Sequence, residues 1–437
     1  MRVTFIQPKV GAKPGQPYPK TWKMEPLWAA ALSAVTPKHI NRDLLDDRMA
    51  PIDFDHPTDL AAISVETYTA RRAYQIAARF RERGVPVVLG GFHVTLCPDE
   101  AARHADAIVV GQAESAWTEL LGDLERGQLK PRYVEQMSRQ WPAPQPDRAL
   151  YAGTNYGGLR LIETSRGCAY HCEFCSISSF YQRRFVARPV AEVVEDIQRC
   201  GSRVIFFVDD NLVTDPERLR ELCEALIPLR IHWLGQIGIR VAEDESLLQL
   251  LRRSGCAGVL IGFESLNPAN LSAMHKPVPG AARYEAALAR LRRHGLSVYG
   301  TFVFGYDDDN EASFLETMEF AVRHRFFFAA FNHLVPFPGT PLHARFRAEG
   351  RLASGDWWLR KDYRFGEVAF RPARMTAERL SDLCADYRRR FYRWGSVFSR
   401  IEFRANLNHP LKALAYFQQN LLAGREVDRR LGLPLGE

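Results

Sequence analysis

The 437-residue chain reads as an α/β protein: a doubly wound parallel sheet, then a partial (β/α)6 barrel, then a mainly helical region. Three observations predict this. Short apolar runs rich in β-branched residues alternate with helical patterns over residues 2–125, as in a parallel sheet wrapped by helices. The alternation stops at a proline- and glycine-rich stretch without periodicity. It then restarts near residue 158 and runs through six strand–helix units, too few for a complete eight-unit barrel.

In the first unit the predicted strands are RVTFIQ, HINRDLL, DLAAISV, PVVLGG and ADAIVVG, with helical segments such as ARRAYQIAARFRERG between them. This domain is assigned to residues 1–135, with 136–157 as a linker. The barrel, residues 158–345, has LRLIETS, RVIFFVDD, IHWLGQIGI, AGVLIGFES, LSVYGTFVFG and FAAFNHLVPF as strands. Its helices include PVAEVVEDIQRC, DPERLRELCEAL, EDESLLQLLRRSG, PGAARYEAALARLRRHG and DNEASFLETMEFAVRHR. The TDPERL segment carries a helix-capping signal. Residues 346–437 are expected to be mainly helical, their aromatic segments either packing on the barrel or lining a substrate mouth.

Composition excludes several classes. With 46% hydrophobic and 25% charged residues, the chain can bury an ordinary soluble core. MRVTFIQPKV is unlike a signal peptide, and no run reaches the roughly 18 apolar residues of a membrane span, which places the protein in the cytoplasm. The net charge of +7 is a weak pointer to nucleic acid, because the arginines recur at helical spacing as solvated faces do. A nucleic-acid partner is not expected, and a small-molecule substrate is.

Three of the eight cysteines fall within CAYHCEFC: Cys168, Cys172 and Cys175. In a reducing compartment such a cluster points to metal rather than disulfides. A structural zinc site and an ordinary iron–sulfur cluster each want four protein ligands. Three thiols therefore suit a four-iron cluster with one open iron. Cys97, Cys200, Cys223, Cys256 and Cys384 read as small core residues.

CAYHCEFC ahead of six βα units resembles the motif of the radical S-adenosylmethionine superfamily, including the aromatic Phe174 before the third cysteine. The resemblance implies a [4Fe-4S] cluster on Cys168, Cys172 and Cys175. It also implies S-adenosylmethionine chelated to the open iron, reductive cleavage to a 5'-deoxyadenosyl radical, and a reducing partner such as flavodoxin or ferredoxin. It further implies cofactor contacts at Asp209 and Asp210, which stand where the family usually has Gly-Gly-Glu. Glu264, near the ribose or methionine moiety, and Pro338 in VPFPGTPL, near the adenine, complete the implied set.

The front domain resembles the cobalamin-binding domain of a large class within that superfamily, through LAAISVETY, PVVLGGFHVTLCPDE and ADAIVVGQAESAW. Ser64, Gly90, Gly91 and His93 are then the implied cobalamin contacts. The Asp-x-His-x-x-Gly signature of many such domains is absent, the loop after the first strand being QPKVGAKPGQPYPK. The implied function is methylation of an unactivated carbon in a small molecule. The alternative is a cyclase or oxidoreductase of the same architecture, with the front domain not using cobalamin.

Overall fold

The computed structural model describes residues 1–135, 145–276 and 281–436. The five front runs are strands β1 (Arg2–Gln7), β2 (Asn41–Asp46), β3 (Leu60–Ser64), β4 (Val87–Gly90) and β5 (Ala107–Gly111). A sixth, β6 (Arg132–Glu135), went unread because it is a polar edge strand whose Val134 faces outward. The sheet is parallel throughout, in the order β2-β1-β3-β4-β5-β6. The order reverses between β1 and β3. Sheets of this type bind ligands outside the strand C-termini at such a point.

The second sheet begins with β7 (Arg160–Ile162), and a short antiparallel pair follows, β8 (Ser165–Gly167) and β9 (Phe185–Ala187). It continues with β10 (Val204–Phe207), β11 (His232–Gln236), β12 (Cys256–Glu264), β13 (Ser297–Phe304) and β14 (Phe328–His333). The order β14-β13-β12-β11-β10-β7 is that of an open six-stranded barrel. TDPERL caps as expected: the Asp215 carboxylate accepts from the Arg218 N–H at 3.1 Å, and Pro216 opens the helix Pro216–Leu226. Residues 279–280 of the PGAARYE segment lie outside the described residues, and its helix is described as Ala281–Arg293.

Alternation along β13 and β14 assigns the barrel faces. Val298, Phe302, Phe304, Ala329 and Phe331 are buried against helices, whereas Tyr299, Thr301, Phe328, Ala330 and Asn332 are only half-buried and line the lumen.

Two regions beyond the sheets join the units together. The connection at 145–157 is packed rather than loose: Tyr151 and Tyr156 donate to the Pro26 carbonyl and the Asp46 carboxylate, each at 2.9 Å. Arg148 there pairs with both Glu25 at 2.7 Å and Asp196 at 3.2 Å. Residues 136–144 lie outside the described residues. The region after 345 is mainly helical, as expected, and packs on both sheets. Trp357, Trp358, Tyr363, Ala369 and Leu435 join the core of the first sheet, while the helix Ala377–Tyr392 packs on β14 and closes the open side of the barrel. No helix among the described residues is long and apolar enough to cross a membrane.

Candidate active site

Cys168 and Cys172 lie on the loop after β8, and Cys175 is the residue before the helix Ser176–Tyr181. The loop is fixed from below. Glu173 is buried and pairs with Arg345 at 2.8 Å, and its carbonyl accepts from the Leu342 N–H at 3.0 Å. All three thiols line one cavity of about 230 Å³ at the C-terminal mouth of the barrel, together with Phe174, Asp210 and Glu264. Burial raises the pKa of each thiol, that of Cys172 to about 12. Three soft sulfur donors facing one space form a donor set that fits an iron–sulfur cluster. The remaining cysteines are elsewhere: Cys223, Cys256 and Cys384 are buried as expected, whereas Cys97 and Cys200 are only half-buried.

The two adjacent aspartates divide. Asp210 faces the cavity, its carboxylate held by the Gly167 N–H at 2.9 Å, and burial pushes its pKa up to about 7. Asp209 does not reach that space. It is buried beneath the mouth and accepts from the Thr164 N–H at 3.2 Å, the Thr164 hydroxyl at 2.7 Å and the Ser165 hydroxyl. Side chains of successive strand-end residues point to opposite sides, so Asp209 ties β10 to Thr164 and Ser165 after β7 while Asp210 faces the cavity.

Glu264 ends β12 with φ +61°, a conformation uncommon for a residue with a side chain. Its carboxylate meets the Lys276 ammonium at 2.6 Å, which also donates to the Gly262 carbonyl at 2.6 Å. Lys276, Gln236 and Asn211 line the same cavity and were not singled out from sequence. Gln236 carried a usable signal, being a polar residue at the C-terminal end of a barrel strand.

Pro338 is not in this cavity. It lines a second one, of about 660 Å³, with Cys97, Glu100 and Trp358, where a Cβ on Gly339 would come within 3.0 Å of Leu96. The VPFPGTPL segment therefore packs on the front domain.

The front-sheet residues separate in the same way. Ser64 and Gly90 end neighbouring strands β3 and β4, and a Cβ on Gly90 would meet only Val109, at 3.8 Å. Gly91 is required by the fold itself: its φ is +102°, and a Cβ would be 3.0 Å from the Ser64 hydroxyl and from the Val65 backbone. His93 is not a free pocket contact. It is fully buried, with Nδ1 3.3 Å from the Thr67 hydroxyl and Nε2 3.0 Å from Glu100.

The mouths of the two units face each other. Arg166 of β8 pairs with Glu114 of the front domain at 2.7 Å, and the tilted rings of Phe92 and Phe180 pack with centroids 4.3 Å apart. The histidine-free loop after β1 turns away toward the far end of the chain, where Lys13 donates to the Asp428 carbonyl at 2.8 Å.

A three-thiol cavity at the mouth of a six-stranded parallel barrel defines an enzyme class, and comparison with known proteins agrees. The Radical SAM superfamily profile matches residues 162–321. The chain is 31% identical to bacteriochlorophyllide d C-12(1)-methyltransferase of Chlorobaculum tepidum, over 86% of its own length and 84% of the relative's. It is also 31% identical to the C-8(2)-methyltransferase of the same organism, over 76% and 79%. The fold is shared with the cobalamin-dependent S-adenosylmethionine radical enzyme OxsB bound to aqua-cobalamin and S-adenosylmethionine: TM-score 0.71, 15% identity, coverage 98% of this chain and 71% of that one. The chain belongs to the radical S-adenosylmethionine superfamily. It is a radical S-adenosylmethionine enzyme, whose family chemistry uses a [4Fe-4S] cluster and S-adenosylmethionine.

Proposed function

We propose that the protein methylates an unactivated carbon of a small molecule, using a cobalamin held by the front sheet. The observation that carries this reading is the apposition of two mouths, the three-thiol cavity and the strand ends Ser64 and Gly90, across the contacts Arg166–Glu114 and Phe92–Phe180. The methyltransferase names of both relatives support it.

Cys168, Cys172 and Cys175 would hold the cluster, which with S-adenosylmethionine supplies a carbon-centred radical able to take hydrogen from an unactivated carbon. Asp210 would receive the cofactor's ammonium group, with Asp209 beneath it tying β10 to the segment after β7. Glu264, oriented by Lys276, offers an acceptor for ribose hydroxyls. Phe174 and the closing helix Ala377–Tyr392 limit access of water. The reductant is a flavodoxin- or ferredoxin-type partner, and the setting is the cytoplasm.

The deciding experiment supplies methyl-labelled S-adenosylmethionine, reductant and a candidate chlorin substrate to the reconstituted enzyme. Label in the product, with both S-adenosylhomocysteine and 5'-deoxyadenosine released, is expected. Deoxyadenosine with an unlabelled product would move the assignment to a cyclase or oxidoreductase.

A further inference from the structure

The wall that closes the barrel carries a cation without an anion. Arg388 lies on the helix Ala377–Tyr392, and its guanidinium donates to the Asn332 side-chain oxygen at 2.5 Å, on the lumen face of β14. No carboxylate among the described residues forms an ion pair with it. Its electrostatic neighbours are Tyr299, Tyr392 and Cys384, with the further cation Arg430 raising the local positive potential. Arg430, by contrast, is neutralised by Glu426 at 3.2 Å. His333 at the end of β14 adds no negative charge, and burial pushes its pKa down to about 4.

Enclosing a guanidinium away from water costs several kcal/mol unless charge or several hydrogen bonds compensate. One neutral amide oxygen satisfies one of its five donors. Other buried arginines of this chain are compensated: Arg188 pairs with Asp196 at 2.9 Å, Arg72 with Asp47 at 2.7 Å, and Arg400 donates to three backbone carbonyls and to Asn420. Arg388, half-buried and half-open to the lumen, is the one of these four whose hydrogen bonding among the described residues rests on a single neutral oxygen.

The surroundings specify what would complete it. Half-buried aromatic rings line that side of the lumen: Tyr299 is 5.6 Å from Phe328, which is 6.3 Å from Tyr392. From the front domain, Tyr68 feels the charge of Arg388 and packs 5.1 Å from Phe365. Flat apolar walls with one fork of N–H donors that has no counter-charge suit a ring system bearing a carboxylate or phosphate group.

We propose that Arg388 is the anchor for an anionic oxygen group of the substrate, and that the substrate is therefore an aromatic or polycyclic acid. This rests on the lumen being the substrate chamber of the methylation reading. The corrinoid phosphodiester offers the same chemistry, so the test separates the two.

The probes are 2-naphthoate and 2-naphthamide, equal in shape and different in charge, titrated without reductant into enzyme reconstituted with iron, sulfide and hydroxocobalamin. The expected result is that wild type prefers the acid by about tenfold or more. Arg388→Met should reduce that preference to about one, while cluster absorbance and bound corrinoid are unchanged, and Arg388→Lys should keep part of it. No acid preference in wild type, including no measurable binding of either probe, overturns the proposal. So does a preference that survives in Arg388→Met; if that variant also loses corrinoid, the anion is the phosphodiester. Because no turnover is involved, failure here leaves the labelled-methyl experiment untouched, and failure there leaves this result standing.

Discussion

The two facing mouths use motif residues in opposite ways. At the barrel mouth, Cys168, Cys172, Cys175, Asp210 and Glu264 converge on one space. At the front-sheet mouth, Gly91 accommodates the close approach of β3, and His93 is spent on Thr67 and Glu100. The same kind of local signature thus marks a ligand site in one domain and loop construction in the other. What separates them is whether the side chains open onto a shared cavity, as those at the barrel mouth do, or are buried in loop packing, as His93 is.

Breaking the barrel side should give the largest effect. Replacing any one of Cys168, Cys172 and Cys175 by alanine is expected to remove the about four irons of a reconstituted cluster and to abolish deoxyadenosine formation. Zinc bound in place of iron in the wild type would overturn the whole contrast.

The front side should respond first in stability. Gly91→Ala must force φ +102° on a residue with a Cβ and push it against Ser64 and Val65, costing about 2–4 kcal/mol by denaturant unfolding. Gly90→Ala has room beside Val109 and should cost under about 1 kcal/mol. If Gly90→Val folds but no longer retains corrinoid while keeping its iron, the ligand approaches there.

His93→Gln sharpens the same point. The His93–Glu100 contact should be lost, with destabilisation of about 1–3 kcal/mol, but the electron paramagnetic resonance of bound cob(II)alamin should be unaltered and show no protein histidine nitrogen in either protein. A nitrogen splitting that disappears in the variant would make His93 a ligand after all.

On the barrel side, Glu264→Gln should weaken S-adenosylmethionine binding about tenfold at unchanged iron content, because the Lys276 ammonium then faces the cavity without its counter-charge. Asp209→Asn should act differently, lowering the melting temperature first. Equal affinity losses in the two variants would show that both carboxylates contact the ligand.

The smallest effect concerns Glu66, just beyond β3. Its side chain is solvent-exposed yet surrounded by protein at the front-sheet mouth, and desolvation there raises its pKa from 4.5 to about 7, a shift that contact with water limits. The folded state then keeps a proton that the unfolded chain releases, so stability falls as pH rises from about 4.5 to about 7. In Glu66→Gln that part of the slope should vanish, read as a smaller change in melting temperature across the window. An identical slope would place Glu66 in open water.

The sequence carried the sheets and the cysteine site because both depend on local pattern: apolar runs at strand spacing, and thiols close enough in the chain to meet. Edge strand β6 escaped because only Tyr133 of its residues is buried, leaving no apolar run. Lys276 escaped because its role depends on Glu264 reaching it across a turn. The division of labour between Asp209 and Asp210 is settled by which side of β10 each faces. The placement of Pro338 depends on Leu96, more than 240 positions earlier in the sequence. Such contacts have no signature in local spacing.

The clasp between the first sheet and the last residues has a consequence for how the protein is made. Leu435 is buried in the first sheet's core, Arg71 donates to its carbonyl at 2.7 Å, and the Gly436 N–H donates to Val10 at 2.9 Å. Trp357 and Trp358 fill the same core from mid-tail. A nascent chain usually folds its leading domain while the rest is still being translated. Here that domain emerges first but must wait, with an unfilled hydrophobic hollow, until residues 357–370 and then 433–436 leave the ribosome. Its apolar surface stays uncovered during that interval, and a bulky fusion placed directly after Gly436 is expected to lower yield more than one placed before Met1.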